Sequence, residues 1–422
     1  MDDRVRLTKM RADVAALYER NRQRGLAPWC GYEYDFVCPS TGTYPFQWFW
    51  DSCFHAIVLS HIDVRLAETE IRSLLKNQAE DGFVAHVTFW QREKFEEMLS
   101  TYAIAYRTPY LSDCIQPPVL GIAIQAIMDH GGSDAFLREV LPEVRRYFDW
   151  LDRVRDPDRD GLVATLQPDE SGLDHTPKHD EYLGVRRNSV DDQNRVWHGP
   201  ADAYEKVGRD PARMFAADVF VLEDVMVNTV YAESQRALAG LYRRIGDAAG
   251  AAEMDARARK TRDAIVAKCW DEEAGLFFDL AGLAERKLRV DTFTCLVPLM
   301  LPDLPEAMVA RLVAAIEDPG RYATPYPLPT VSPREKGFSP FPVRGNLVFR
   351  GTTWINSNWL VTRGLRRHGR EDLARRIEDA SFALVDKSGF REHFNPFTGE
   401  GHGAEGFSWS GLVLDMLASR VA

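Results

Sequence analysis

The segment ESGLDHTPKHD, residues 170–180, gathers Glu170, Asp174 and Asp180 around His175, Pro177 and His179. A metal site, a catalytic carboxylate or a plain helix start could each use such a set. His175 and His179 have the i, i+4 spacing of a zinc helix, but Pro177 between them interrupts the hydrogen-bond ladder of a continuous helix. Just upstream, Asp156, Asp158, Asp160 and Gly161 imitate the start of a calcium loop. The twelfth position there is Gln167, not the bidentate glutamate such a loop requires, so this stretch reads as a tight turn. Gly401, Gly403 and Gly406 spell G-x-G-x-x-G without the strand–helix unit that makes it a dinucleotide fingerprint.

Aromatic residues interleaved with polar ones suggest a different ligand. YPFQWFWDSCFHA, residues 44–56, places Tyr44, Trp48, Trp50 and Asp51 at the start of a helix. Asp51 could be the N-cap of a helix over 52–61. An acid beside indoles is also how a pyranose hydroxyl pair is gripped while the ring stacks. QPP at 116–118 sets Gln116 at a helix mouth, with Pro117 suited to the first turn. FRGTTWINSNW at 349–359 supplies Arg350, Trp354, Asn356 and Asn358 where another helix should begin.

REHFNPFTGEGHGAEGFSWSG, residues 391–411, carries Glu392, Glu400 and Glu405, then Trp409 entering the last helix. Two acid-bearing loops thus lie more than two hundred residues apart. Paired carboxylates across a sugar-sized cleft are the minimum equipment for glycoside hydrolysis: one protonates the leaving oxygen while the other activates water or attacks. Taken singly, each of these acids reads better as a solvated loop residue.

Helical periodicity is the main structural signal, as in Met10, Val14 and Leu17 or Val140, Val144, Phe148 and Leu151. It predicts about twelve helices, near 3–23, 52–61, 64–77, 116–130, 134–154, 215–244, 247–270, 289–300, 306–316, 353–367, 370–386 and 408–420. Several are paired through glycine-containing turns, strand signals are few, and no linker divides the chain. Long aromatic connections at 29–50, 79–115, 155–212 and 317–352 favour a closed ring of helix pairs over an open solenoid, because long loops usually carry function. The expectation is one all-α domain over 1–422, an (α/α)6 toroid with functional loops at one mouth.

The remaining composition narrows the partners. The chain of 422 residues is 45% hydrophobic and 27% charged, with net charge −11 and no basic block, which argues against nucleic acid. No apolar run is long enough to span a membrane, and the charged N-terminus lacks a signal-peptide core, so a cytoplasmic location is expected. Six scattered cysteines read as buried thiols.

WFWDS at 48–52, QPP at 116–118, ESGLD at 170–174, RGTTW at 350–354, EHFNPFTG at 392–399 and GFSWS at 406–410 together resemble glycoside hydrolase family 63, with family 37 trehalases as more distant relatives. The order and spacing agree over nearly the whole chain. The resemblance implies an (α/α)6 catalytic barrel, hydrolysis of α-linked sugars with inversion, and a bare barrel like the bacterial hydrolases of mannosylglycerate and glucosylglycerate. It implies Asp174 as general acid and Glu392 as general base, with Glu405 the rival base. Tyr44, Trp48, Trp50, Asp51, Gln116, Trp354 and Trp409 fall on or beside pocket-lining positions. Glu170 would tune Asp174 or hold its loop closed, and Asp180 would be solvated. The chemistry requires no metal or organic cofactor; the partner is a small carbohydrate, and a homo-oligomer is compatible.

Two departures leave the substrate open between a glucoside and a mannoside. Val348 and Phe349 stand where the glycerate-type hydrolases carry an aromatic pair, and RGTTW lacks their proline. The stretch 181–214, where aglycone contacts would fall, has no clear match. A trehalase-like activity is one alternative. A sugar isomerase or epimerase is another, and would use histidines such as His55, His86 and His393.

Overall fold

The computed structural model describes residues 3–91, 93, 106–108, 110–185, 199–342 and 348–421. Parts of the connections expected at 79–115, 155–212 and 317–352 therefore lie outside the described residues, as do residues 186–198 of the stretch 181–214 expected near the aglycone. The chain separates into two compact units, the first formed by 1–151, 234–256 and 404–422, the second by 152–233 and 257–403.

Along the chain, helices buried nearly all round alternate with helices that bury one stripe. In the first unit every residue of Phe49–Ser60 is buried, as an apolar surface on all sides demands. It packs on Val64–Leu75, whose buried Ala67, Ile71, Leu74 and Leu75 form one face. Asp63 caps that second helix by accepting the Arg65 amide at 2.9 Å. Leu120–Asp129 and Asp134–Val154 repeat the alternation, and Val413–Val421 packs on Asp3–Asn21. Gly121 lets a neighbouring helix approach: a Cβ there would sit 2.3 Å from the Ser234 carbonyl oxygen.

The second unit builds the same alternation from Phe293–Met300 with Glu306–Glu317 and from Ile355–Arg367 with Glu371–Ser388. Helices Val225–Arg244 and Ala248–Ala264 contribute residues to both units. Small antiparallel pairs join the helices, among them Arg22–Ala27 with Tyr32–Val37 and Asp279–Ala281 with Arg286–Leu288.

Several expected elements differ for local reasons. The helix expected over 289–300 is a 3-10 helix, Phe293–Met300, and Pro298 inside it cannot donate the ladder bond. The one expected over 215–244 is broken. A short helix, Pro211–Ala217, ends at Asp218 in the left-handed region, and the long helix restarts at Val225 beneath Asp224, whose Oδ1 accepts the Met226 and Val227 amides. Asp51 is not an N-cap, because the helix already begins at Phe49 and leaves it inside the first turn. Gln116 lies four residues before its helix, which starts at Leu120. The hairpin 22–37 was not anticipated, although YEYDFV alternates with Tyr34 and Phe36 buried. Five of the six cysteines are buried thiols, and Cys30 is exposed.

Candidate active site

The loop 168–180 is clamped by its own charges. Pro168–Ser171 is a short 3-10 turn closed by a capping box between Gln167 and Glu170. Glu170 is buried, accepts the Leu166 amide at 2.6 Å, and forks onto Arg155 at 2.8 and 2.5 Å. Lys178 is buried against Asp224 and lies 3.1 Å from Asp279. Asp180 forks onto the fully buried Arg350 at 2.8 and 2.5 Å. Asp180 is therefore not a solvated acid, which corrects the sequence expectation: the loop folds back so that Asp180 neutralises a guanidinium with no water around it.

Between these anchors the chain turns through Gly172 at φ 66°, and a further turn places Asp174 and His175 at its corners, with the Thr176 amide bonded to the Leu173 carbonyl at 3.2 Å. His175 takes φ 59° there, a left-handed value. Among the described residues Asp174 has no hydrogen bond or ion pair. Asp174 is exposed at its surface, yet protein surrounds it at longer range and leaves too little solvent to stabilise a charge fully. Burial pushes the Asp174 carboxyl up to about 7, and the negative charges of Asp169 and Glu392 push the same way. Glu170 thus holds the loop, and the carboxylates that raise Asp174 are Asp169 and Glu392.

Glu392 comes from the strand Arg391–Phe394, which pairs with Gly401–Glu405. It is 6% exposed. Gly403, at φ 67°, provides its room: a Cβ at that position would lie 2.3 Å from Glu392 Oε2. Gly401 likewise clears space for the Arg391 side chain, where a Cβ would meet Cγ at 2.3 Å. The glycine pattern that imitates a dinucleotide fingerprint thus serves the hairpin that carries Glu392. On the role proposed below for Glu392, Gly403→Ala is expected to lower kcat at least about tenfold with the fold retained, since displacing a catalytic group by an ångström costs up to about a hundredfold. Steady-state kinetics beside a thermal melt checks this, and an unchanged kcat would refute the role given to Gly403.

The strand also ties the two motifs together. Thr353 and Phe394 exchange both backbone hydrogen bonds, at 2.8 and 2.9 Å. Arg350, three residues before Thr353, holds Asp180, so Asp174 and Glu392 are joined through one short chain of contacts within the second unit. Trp354 is 1% exposed, with Phe349 stacked at 4.0 Å on one side and His393 at 4.9 Å on the other. Its indole N–H donates to Thr352 Oγ1 at 3.0 Å.

In the first unit, Gln116 Oε1 accepts the Trp50 amide at 3.1 Å, and Trp50 meets Trp409 edge-on at 5.3 Å. Phe407 links Trp409 to Tyr44, with ring centroids 5.0 and 6.0 Å apart. Trp48 lies edge-on to His86 at 5.4 Å, and Asp51 is buried beside Trp50 in the same helical turn. Six of the seven expected sugar-binding residues thus belong to this unit, and Trp354 belongs with the acids. Glu405 is exposed, unlike Glu392, and its carbonyl accepts the Ser40 hydroxyl at 3.3 Å.

The sequence reading did not assign Asp169, Arg155, Lys178 or Gly403. Only the glycine spacing carried a signal for the last. Among the described residues no helix is long and apolar enough to cross a membrane.

Comparison with known proteins places the fold among the all-α (α/α)6 six-hairpin toroids and the chain among the glycosidases. It belongs to the mannosylglycerate hydrolase MGH1-like glycoside hydrolase domain family, whose model matches residues 44–410. A mannosylglycerate hydrolase of Thermus thermophilus is 31% identical over 90% of this chain and 95% of its own length. A glucosylglycerate hydrolase of Mycolicibacterium hassiacum is 28% identical over 89% and 92%. The crystal structure of a family 63 mannosylglycerate hydrolase, also of Thermus thermophilus, with Tris and D-glycerate superposes at a TM-score of 0.84 with 27% identity, covering 97% of this chain and 100% of that one.

Proposed function

We propose that this glycosidase hydrolyses a small α-glycoside of glycerate, carrying glucose or mannose, with inversion at the anomeric carbon. Asp174 is the general acid and Glu392 the general base. The proposal treats residues 1–422 as one catalytic domain and assigns sugar binding to Tyr44, Trp48, Trp50, Asp51, Gln116, Trp354 and Trp409. The observation that carries it is the Asp174 carboxyl, without a hydrogen bond or ion pair among the described residues and raised to about 7 by burial and by Asp169 and Glu392. A general acid has to keep its proton near neutral pH while remaining free to give it away.

In this reading Asp174 gives its proton to the glycosidic oxygen as the C–O bond breaks. Ionised Glu392 takes a proton from a water attacking the opposite face of an oxocarbenium-like sugar. The water oxygen bonds to the anomeric carbon, and glycerate leaves with the proton from Asp174. An inverting pair is held about 6.5–9.5 Å apart to admit that water. The names of the relatives support glycerate as aglycone and leave both sugars in play.

The histidines an isomerase would use have poor properties for that work. Burial drives His55 down to about 3, His86 to about 4 and His393 to about 3. All three are neutral at pH 7, far from the poise of a proton shuttle.

Mannosylglycerate, glucosylglycerate, trehalose and simple α-glucosides and α-mannosides, followed by proton NMR, test the reading. It requires a glycoside of glycerate to be cleaved fastest and the β-anomer to appear first; initial α-anomer would overturn inversion, and preference for trehalose would overturn the aglycone. The pH profile supplies a second check. Asp174 works protonated and titrates near 7, so kcat/KM should fall about tenfold per unit above that pH. Asp169→Asn removes a negative neighbour and should move this limb to lower pH; a limb that stays in place would contradict the coupling.

A further inference from the structure

Four acids outside the proposed catalytic pair converge on one point in the second unit. Asp158 and Asp160 come from the turn after helix Asp134–Val154, Glu223 from strand Leu222–Glu223, and Glu285 from the bend between the strands Asp279–Ala281 and Arg286–Leu288. Each brings a carboxylate oxygen within 4.8 Å of the other three. The sequence around Asp156 lacks the downstream glutamate of a calcium loop, and here the fold supplies two glutamates from elsewhere in the chain.

A cluster of acids alone would not indicate a ligand. The second observation is Glu223, which is 5% exposed and whose Oε2 has no hydrogen-bond donor although it is buried. A buried acceptor without a donor is costly, so a group that satisfies it is favoured. Lys268 is the local cation: it pairs with Asp160 and lies 2.8 Å from Glu285 Oε1. One ammonium against four carboxylates leaves the group short of positive charge, and the ammonium pairs with neither Asp158 nor Glu223.

We propose that Asp158, Asp160, Glu223 and Glu285 form a binding site for a hard divalent cation of the calcium type. All four donors are carboxylate oxygens, without the imidazole or thiolate that zinc or copper prefers. Calcium–oxygen distances of about 2.3–2.6 Å put ligand oxygens on opposite sides of one ion up to about 5 Å apart, so a span of 4.8 Å fits a shared ion. Water would complete the six to eight ligands calcium takes. Lys268 then acts as a built-in competitor that lowers affinity.

The ion would be structural. Thr165 and Leu222 exchange backbone hydrogen bonds at 2.8 and 3.0 Å, next to Glu223. A cation would fasten the 158–160 turn to that strand and to the 279–288 hairpin, and so brace both ends of the stretch leading to Glu170 and Asp174. This inference is independent of the substrate reading.

Isothermal titration of the chelator-stripped full chain with CaCl2, and melting curves with Ca2+, Mg2+ or K+, test it. One saturable Ca2+ site, raising the melting temperature by several degrees, is expected. Glu223→Gln and Asp158→Asn should each weaken binding at least about tenfold, because ligand charge tunes calcium affinity. Lys268→Met should tighten it. No saturable binding up to about 10 mM, beyond the weak end of protein calcium sites, would overturn the proposal, as would unchanged binding in Asp158→Asn. Asp158 is exposed, so that variant decides the matter even if Glu223→Gln fails to fold.

Discussion

Asp174→Asn is expected to lower kcat on the natural substrate by about 10²–10⁴-fold while leaving the melting temperature nearly unchanged. The range is that of positioned general acid–base catalysis. Stability should hold because Asp174 makes no hydrogen bond or ion pair among the described residues, and removing a half-desolvated acid costs the fold little. The effect should depend on the leaving group. A nitrophenolate leaves without help, so Asp174→Asn should retain much more activity on a nitrophenyl α-glycoside than on a glycerate glycoside. Glu392→Gln should lose a comparable factor on both, since water must be activated whatever departs. Equal losses on both substrates in Asp174→Asn would sink its assignment as the acid. Retained activity in Glu392→Gln would move the base elsewhere, with Glu405 the first place to look.

Lys178→Met is expected to give the largest loss of stability, about 3–5 kcal/mol, the range measured when one partner of a buried ion pair is removed. The ammonium is 1% exposed and lies between Asp224 and Asp279, both buried. Those acids are committed elsewhere too: Asp224 caps helix Val225–Arg244, and Asp279 Oδ1 accepts the Val225 amide at 2.8 Å. Without the lysine two carboxylates share a dry site, and at least one must take a proton or draw in water. Chemical denaturation at pH 7 measures the loss. Adding Asp279→Asn to Lys178→Met should recover part of it by removing the orphaned charge. A loss under about 1 kcal/mol in the single variant, the scale of an exposed pair, would show that the site is wet. The same lysine lies four residues from Asp174, so kcat should fall as well, through loss of the loop's anchor.

Much of the helical framework was legible in the chain. The stripe Val140, Val144, Phe148 and Leu151 marked a helix observed as Asp134–Val154, and Glu306–Glu317 and Ile355–Arg367 lie within a residue or two of their expected ranges. Apolar periodicity is a local property, and burial of one face is all a helix needs from the fold. Failures fell where a single residue outweighed the stripe, as at Pro298, or where Asp224 restarted a helix that the pattern had run together. The family, the helical toroid class and the glycosidase activity were likewise legible, because six short motifs kept their order over the chain.

What the residues of ESGLDHTPKHD do was decided by contacts between distant parts of the sequence. All three acids look alike in the chain. Asp180 meets Arg350, Glu170 meets Arg155, and Asp174 meets neither, so of the three Asp174 alone lacks an ion pair among the described residues, and it holds its proton near neutrality. The neighbour that raises it is Asp169 rather than Glu170, since Glu170 has already turned its carboxylate to the guanidinium behind it. A carboxylate's charge state is set by what surrounds it within a few ångströms. Sequence determines which acids are present, and tertiary structure determines which of them is set among other carboxylates without a cation.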